Sequence, residues 1–86
     1  MENNRILFEV TEIIHEVGVP DAVENLTVDT DLIESGILDS LGKVELIDAI
    51  WERYRLEISP AELFTTGVTI QSVTDIVEKY TYQKRD

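Results

Sequence analysis

Cysteine is absent from the sequence, and histidine occurs only once, as His15. The absence of cysteine excludes disulfide bonds and thiolate zinc sites. A lone histidine beside the apolar stripe of a helix has no second histidine for a ligand set, so we interpret His15 as a solvated surface residue and predict no metal site. The sequence also lacks a Ser-His-Asp arrangement with supporting spacing and a glycine-rich phosphate loop. An enzyme is therefore not predicted.

Basic residues are scarce. Seven lysines and arginines stand against 18 aspartates and glutamates, which gives a formal net charge of −11 at pH 7. Such a surface repels nucleic-acid phosphates, so no nucleic-acid partner is expected. It favours protein partners with basic patches, which it would attract by electrostatic steering, and it also keeps a small protein in solution.

Long hydrophobic runs are missing as well. No stretch approaches the roughly 20 apolar residues that a membrane span requires, and MENNRILFEV at the N-terminus has neither the basic region nor the apolar segment of a signal peptide. We expect a cytoplasmic monomer without membrane insertion. The 86 residues fit one domain, 1–86, with an ordered core of about 4–81. A core of this size is too small to enclose a separate enzyme site.

Apolar residues recur at helical spacing in several segments, whereas no segment alternates convincingly at the period of a β-strand. The first helix is predicted from about Asn4 to Val17. Asn3 or Asn4 can cap its start, and Gly18 followed by Pro20 is a stop signal.

Two further helices are predicted after the middle of the chain. Ser59 should cap a third helix of little more than one turn, with Pro60 at its first position and Glu62 completing a capping box. Thr69 should cap the last helix, which is expected to fray from Tyr82 onward. Basic residues near its negative end are Lys79, Lys84 and Arg85. With the second helix described below, the prediction is an all-α four-helix bundle of three long helices and a short third one.

A long connection, Gly18–Asp39, joins the first two helices. Compact domains seldom contain such a stretch without a packing or functional reason. Its apolar residues are Val23, Leu26, Val28, Leu32, Ile33, Ile37 and Leu38. We predict an ordered loop with one helical turn after Thr30 that runs the length of the bundle, so that Ser40 lies far from Gly18. Gly36 should supply backbone freedom for the turn before the serine.

The second helix begins at Leu38-Asp39-Ser40-Leu41 and continues to Tyr54. Asp39 is a good N-cap, because its carboxylate can accept a hydrogen bond from an amide of the first turn. Ser40 then takes the first helical position, beside the positive end of the helix dipole. A phosphate attached there would meet unpaired amides and a favourable field.

This second helix has two patterned faces. One stripe should face the core and consists of Leu46, Ile47, Ile50 and Tyr54. The other mixes apolar and acidic groups and consists of Leu41, Val44, Glu45, Asp48 and Glu52. A helix that buries one face needs no second pattern, so the second stripe indicates a further role.

The Asp39-Ser40-Leu41 motif, followed by Val44-Glu45-Leu46, resembles the modification site of the acyl carrier protein family. The likeness extends more loosely over nearly the whole chain. It implies an acyl-carrier-type bundle in which Ser40 receives 4′-phosphopantetheine from coenzyme A and Asp39 forms part of the motif.

The resemblance also implies how the protein works. A phosphopantetheinyl transferase attaches the arm, whose thiol carries an acyl or aminoacyl group as a thioester. A loading ligase and a downstream transferase or synthase then meet the protein through the second stripe: Leu41, Val44, Glu45, Asp48 and Glu52. A different class of function stays open, that of an unmodified acidic helical adaptor. Mass spectrometry separates the two, since only a carrier gains a phosphopantetheine.

Several residues depart from the fatty acid type of carrier. Gly42 follows Leu41, which is more like stand-alone D-alanyl and aminoacyl carriers, and Lys43 adds positive charge beside the site. Glycine in a first turn costs stability, up to ~1 kcal/mol relative to alanine in a helix interior. Trp51 can be a partner contact or a partly buried packing residue. Bulky walls formed by Tyr54, Phe64 and Trp51 would favour a short or aminoacyl cargo over a long fatty acyl chain.

Overall fold

The computed structural model describes residues 2–65 and 67–84. Its helices are α1 (Glu2–Val17), α2 (Ser40–Tyr54), α3 (Pro60–Leu63) and α4 (Ile70–Lys84), with a short 3₁₀ turn at Val23–Asn25. No strand occurs in the described ranges, so the predicted all-α bundle of three long helices and one short helix is confirmed. None of the described helices combines the length and hydropathy that crossing a bilayer would require.

The core forms where α1 packs against α4 and α2. The side chains at its centre are no more than 1% exposed: Val10, Ile14, Leu46, Ile50, Val73 and Val77. Burying one such side chain contributes roughly 1.5–3 kcal/mol. Burial of the apolar residues that recur at helical spacing therefore contributes most of the stabilisation that holds the helices together.

The start of α1 and the end of α4 differ from the prediction. α1 begins at Glu2, so Asn3 and Asn4 lie inside the helix instead of capping it. α4 continues through Lys84, so the chain is still helical at Tyr82, where fraying was expected. Arg85 lies outside the described residues.

The end of α4 is held by a contact with α3. The Tyr80 hydroxyl donates a hydrogen bond of 2.6 Å to Glu62 Oε1, which raises the pKa of Tyr80, and Lys79 Nζ lies 3.7 Å from Glu62 Oε2. Ser59 caps α3 as predicted, accepting from the Glu62 amide at 3.2 Å. The capping-box prediction is wrong for the Glu62 side chain, because the carboxylate turns to α4 and not back to Ser59.

The path of the long connection also differs from the prediction. The Val19 amide donates to the Ile37 carbonyl at 2.9 Å, which brings the end of the connection back to its start. α2 therefore begins beside the end of α1, and Ser40 does not lie at the far end from Gly18. The loop is nevertheless ordered: the Leu32 amide donates to the Val68 carbonyl at 2.8 Å.

Two short turns shape this connection. After Thr30 the chain makes a turn, but not the helical turn that was predicted. The Asp31 carboxylate closes this turn by accepting hydrogen bonds from the amides of Ile33 and Glu34 at 3.0 and 2.8 Å. Gly36 follows with φ +84°, a left-handed conformation that favours glycine, as predicted. The 3₁₀ turn at Val23–Asn25 was not predicted.

One buried polar atom gives a stability prediction. Thr74 on α4 is fully buried, and its Oγ1 has no hydrogen-bond partner among the residues that the structure describes. We expect Thr74→Val to raise the free energy of unfolding by about 1 kcal/mol, because it removes an unpaired buried hydroxyl and keeps nearly the same shape. Urea denaturation measures the change.

Thr69→Val is the matched control. Its Oγ1 accepts from the Ser72 amide at 3.0 Å and caps α4, so its loss should lower the free energy of unfolding by about 1 kcal/mol. Destabilisation by Thr74→Val would show that the Thr74 hydroxyl has a favourable role in the core.

Candidate functional site

Ser40 is the first residue of α2 and is exposed to solvent. Asp39 caps the helix in an extended conformation, and its Oδ1 accepts a hydrogen bond of 2.7 Å from the Gly42 amide. The Asp39 carbonyl accepts the next amide, that of Lys43, at 3.0 Å. The predicted cap is confirmed, and it fixes the first turn of α2 with Ser40 at the helix's positive end.

Gly42 lets this turn lie close to the rest of the bundle. A Cβ atom on Gly42 would stand 3.2 Å from Asp39 Oδ1 and 3.2 Å from the Val17 carbonyl oxygen. Leu38, only 2% exposed, would be 3.4 Å away. The glycine that costs helix propensity therefore permits the close approach of α2 to the end of α1.

A groove opens beside Ser40 between α2 and α3. Its volume is about 380 Å³, and its lining is Ser40, Lys43, Val44, Ile47, Asp48, Pro60 and Phe64. A second groove of about 550 Å³ shares Ile47 and Asp48 with it and extends to Trp51, Leu56 and Ile58. The two grooves together follow the exposed side of α2 away from Ser40.

The two faces of α2 differ in exposure. Leu46 and Ile50 are buried, and Ile47 and Tyr54 are half-buried, as expected of the core stripe. The residues of the second stripe are all exposed: Leu41, Val44, Glu45, Asp48 and Glu52. Leu41 and Val44 leave 65% and 56% of their surface in water, so two large apolar side chains stand beside Ser40 without being covered.

The three bulky residues expected to form walls lie in different places. Phe64 lines the groove beside Ser40, and Trp51 lines the second groove. Trp51 is 44% exposed, with the Arg55 guanidinium 5.4 Å from its ring centroid. Tyr54 lines neither groove, because its hydroxyl donates to Glu9 on α1 at 2.6 Å. Burial and this bond raise the pKa of Tyr54 far above its usual range.

No activating base accompanies Ser40. Within the described part of the chain, no hydrogen bond joins its hydroxyl to a basic side chain, and His15 lies exposed on α1. A serine nucleophile is a weak one unless an adjacent base removes its proton. The Ser40 hydroxyl therefore lacks, among the described residues, the hydrogen-bonded base that a catalytic serine requires.

Comparison with known proteins agrees with this geometry. The family model described as "Phosphopantetheine attachment site" matches residues 9–77, which include all of α2 and α3. The chain belongs to this family. It is a non-catalytic carrier protein of the acyl carrier type, and 4′-phosphopantetheine is its prosthetic group. The expected resemblance is thus confirmed.

Individual relatives are named D-alanyl carrier proteins. Those of Streptococcus sanguinis and Streptococcus gordonii are each 33% identical to this carrier protein over 73 residues, covering 79% of this chain and 90% of the relative. A D-alanyl carrier protein of Streptococcus thermophilus has the same identity and coverage. No solved structure matches the chain.

Some parts of the site had no local signal in the sequence. The groove depends on α3 packing beside α2, and Phe64 comes from the end of α3, 21 positions beyond Lys43 in the sequence. Phe64 was predicted as a bulky wall beside the cargo from the family resemblance, but no residue pattern placed it next to Lys43. The exposed stripe and the cap, by contrast, depend on residues within one helix.

Proposed function

We propose that Ser40 is the attachment residue for 4′-phosphopantetheine, transferred from coenzyme A by a phosphopantetheinyl transferase. The observation that carries the proposal is the exposed hydroxyl at the capped start of α2, inside the matched range and beside an open groove. The residues fit the group: the helix's positive end favours a phosphodiester, and the groove leaves room at its side. The test is a gain of one phosphopantetheine in intact mass, located on the peptide that contains Ser40.

Asp39 and Gly42 act on Ser40 through the backbone. The Asp39 carboxylate occupies the Gly42 amide and keeps the first turn formed, so the serine is presented in one orientation. The bound arm supplies a thiol, which this cysteine-free chain lacks, and the cargo is carried on it as a thioester. The chain itself contributes a recognition surface for partner enzymes and a fixed attachment point for the mobile arm.

For cargo, the proposal is an aminoacyl or other short group, with D-alanine as the first candidate. Support comes from the D-alanyl carrier relatives and from the Leu41-Gly42 pair. Phe64 in the wall of the groove beside Ser40 and Trp51 in the next groove reduce the apolar space open to a long chain. Tyr54 no longer counts in this argument, since it bonds to α1.

A loading panel tests the cargo. The protein carrying its arm is offered D-alanine, L-alanine, other amino acids and fatty acyl groups, each with candidate ligases, and products are read by intact mass. We expect aminoacyl loading. Selective loading and shielding of a long-chain acyl group, with no aminoacyl product, would overturn the cargo proposal and leave the attachment proposal standing.

The proposed docking surface for the transferase, the ligase and later enzymes is the second stripe of α2. Its apolar pair lies next to Ser40, and its acidic residues, Glu45, Asp48 and Glu52, face solvent. The double variant Glu45→Lys with Asp48→Lys should slow modification or loading about tenfold or more at low salt. The reason is that the two introduced lysines would repel the basic surface of a partner enzyme. Stability should change little, because exposed charges usually shift it by less than ~0.5 kcal/mol each.

The matched control is Glu24→Lys with Asp75→Lys. Both residues are exposed and lie outside α2, and the change in net charge is the same. We expect this control to retain most of the rate. A similar loss of rate in both double variants would mean that total charge matters and that the stripe is no specific docking surface.

A further inference from the structure

Lys43 stands out as a cation in the immediate surroundings of Ser40. It follows Ser40 by three positions in α2, and side chains at this spacing are neighbours on one helix face. Both residues line the groove of about 380 Å³. Lys43 is half-buried, and its Nζ lies 5.9 Å from the centroid of the Phe64 ring. The ring thus keeps the ammonium group at the groove.

No ion pair joins this cation to an acidic residue in the described part of the chain, although the sequence has 18 acidic residues. The ion pairs seen among residues 2–65 and 67–84 include Arg53 with Glu12 and Lys79 with Glu62, and none of them involves Lys43. Asp31 and Glu34 border a neighbouring groove with Lys43, and Asp48 lines the groove at Ser40. The Oδ1 of Asp31 already accepts two backbone amides of the connection. Among the described residues, none of these carboxylates forms an ion pair with Lys43, so its ammonium group can meet a negative charge attached to Ser40.

We propose that Lys43 binds the phosphodiester of the prosthetic arm, with Phe64 holding the lysine side chain at the groove. This inference rests on the proposed attachment to Ser40. A phosphodiester keeps one negative charge and has acceptor oxygens, and an ammonium group offers three donors that can remain over an aromatic face while binding an anion. Because Phe64 closes α3, the contact also couples the position of the arm's attached end to the position of α3.

The test compares each protein before and after attachment of the arm. Wild type, Lys43→Gln and Lys43→Arg are converted completely with excess transferase, as checked by intact mass, and unfolded in urea in both forms. The quantity compared is the unfolding constant of a protein with the arm divided by that of the same protein without the arm. We expect Lys43→Gln to increase this ratio about two- to fivefold at low salt. The shift should shrink at high salt and be largely absent in Lys43→Arg.

Two further measurements make the result specific. The ³¹P resonance of the attached phosphodiester should move in Lys43→Gln and in Phe64→Leu. The control Arg5→Gln removes an exposed charge on α1, so it should affect both forms equally and leave the ³¹P resonance in place.

Equal effects of Lys43→Gln with and without the arm, together with an unchanged ³¹P resonance, would overturn the role of Lys43. A Lys43→Gln protein that resists modification at any transferase concentration would also count against it, because the lysine would then serve transferase recognition. The attachment proposal fails separately, if the wild type gains no arm or gains it away from Ser40.

Discussion

Replacement of Ser40 by alanine is expected to abolish phosphopantetheine attachment completely. The side-chain oxygen is the atom that would form the phosphodiester bond, and alanine has none. The fold should survive, because Ser40 is exposed and alanine is favourable in a helix. Incubation with coenzyme A and a promiscuous phosphopantetheinyl transferase, followed by intact mass measurement, gives the answer.

The control for this experiment is Ser35→Ala. Ser35 is also exposed and lies in the connection just before α2. This variant should gain one arm like the wild type. An arm that persists in Ser40→Ala would refute the assignment of the site. A wild type that never gains an arm would instead favour the unmodified adaptor.

Gly18→Ala is expected to cause the largest loss of stability among single methyl additions to the glycines. A Cβ at this position would lie 2.7 Å from the Ile14 carbonyl oxygen, 2.7 Å from Val23 Cγ1 and 2.9 Å from Ile37 Cγ2. Neither the helical backbone nor the packed side chains can move aside cheaply. Overpacking of this kind typically costs about 1–3 kcal/mol, a large share of the ~5–15 kcal/mol that stabilises a domain.

Urea denaturation of Gly18→Ala and Gly36→Ala separates crowding from backbone strain. Gly36 has φ +84°, and an added Cβ there meets nothing within 4 Å, so its substitution should cost only the conformational strain, about 1–2 kcal/mol. We expect Gly18→Ala to cost more and also to impair modification, because Ile37 leads into the start of α2. A loss at Gly18 smaller than that at Gly36 would contradict the close packing described here.

The helices and the exposed start of α2 could be predicted from sequence because their causes are local. Asp39, Ser59 and Thr69 each cap a helix through an amide three residues ahead. The apolar spacing identifies which face of a helix is buried, and the same spacing left the acidic stripe of α2 on the outside. These interactions act within about one helical turn, so neighbouring residues are enough to specify them.

The route of the connection depended on tertiary structure. The bond from the Val19 amide to the Ile37 carbonyl and the close approach of Gly42 to Val17 bring Ser40 next to the end of α1. The sequence predicted the opposite arrangement. A loop of this length has many routes of similar closure entropy, and only packing against particular partners selects one of them.

Contacts between helices were likewise invisible in the pattern of residues. Tyr54 bonds to Glu9, and Glu62 turns from its own helix to Tyr80. Phe64 was predicted as a wall of the cargo space, but its place beside Lys43, where it shapes the groove at Ser40, was not. The sequence by itself determined the helices, the cap and the exposed serine, whereas the tertiary structure decided the groove and the surroundings of that serine. The reason is physical: side chains distant in sequence meet only after the helices have packed, and their partners depend on the packing geometry.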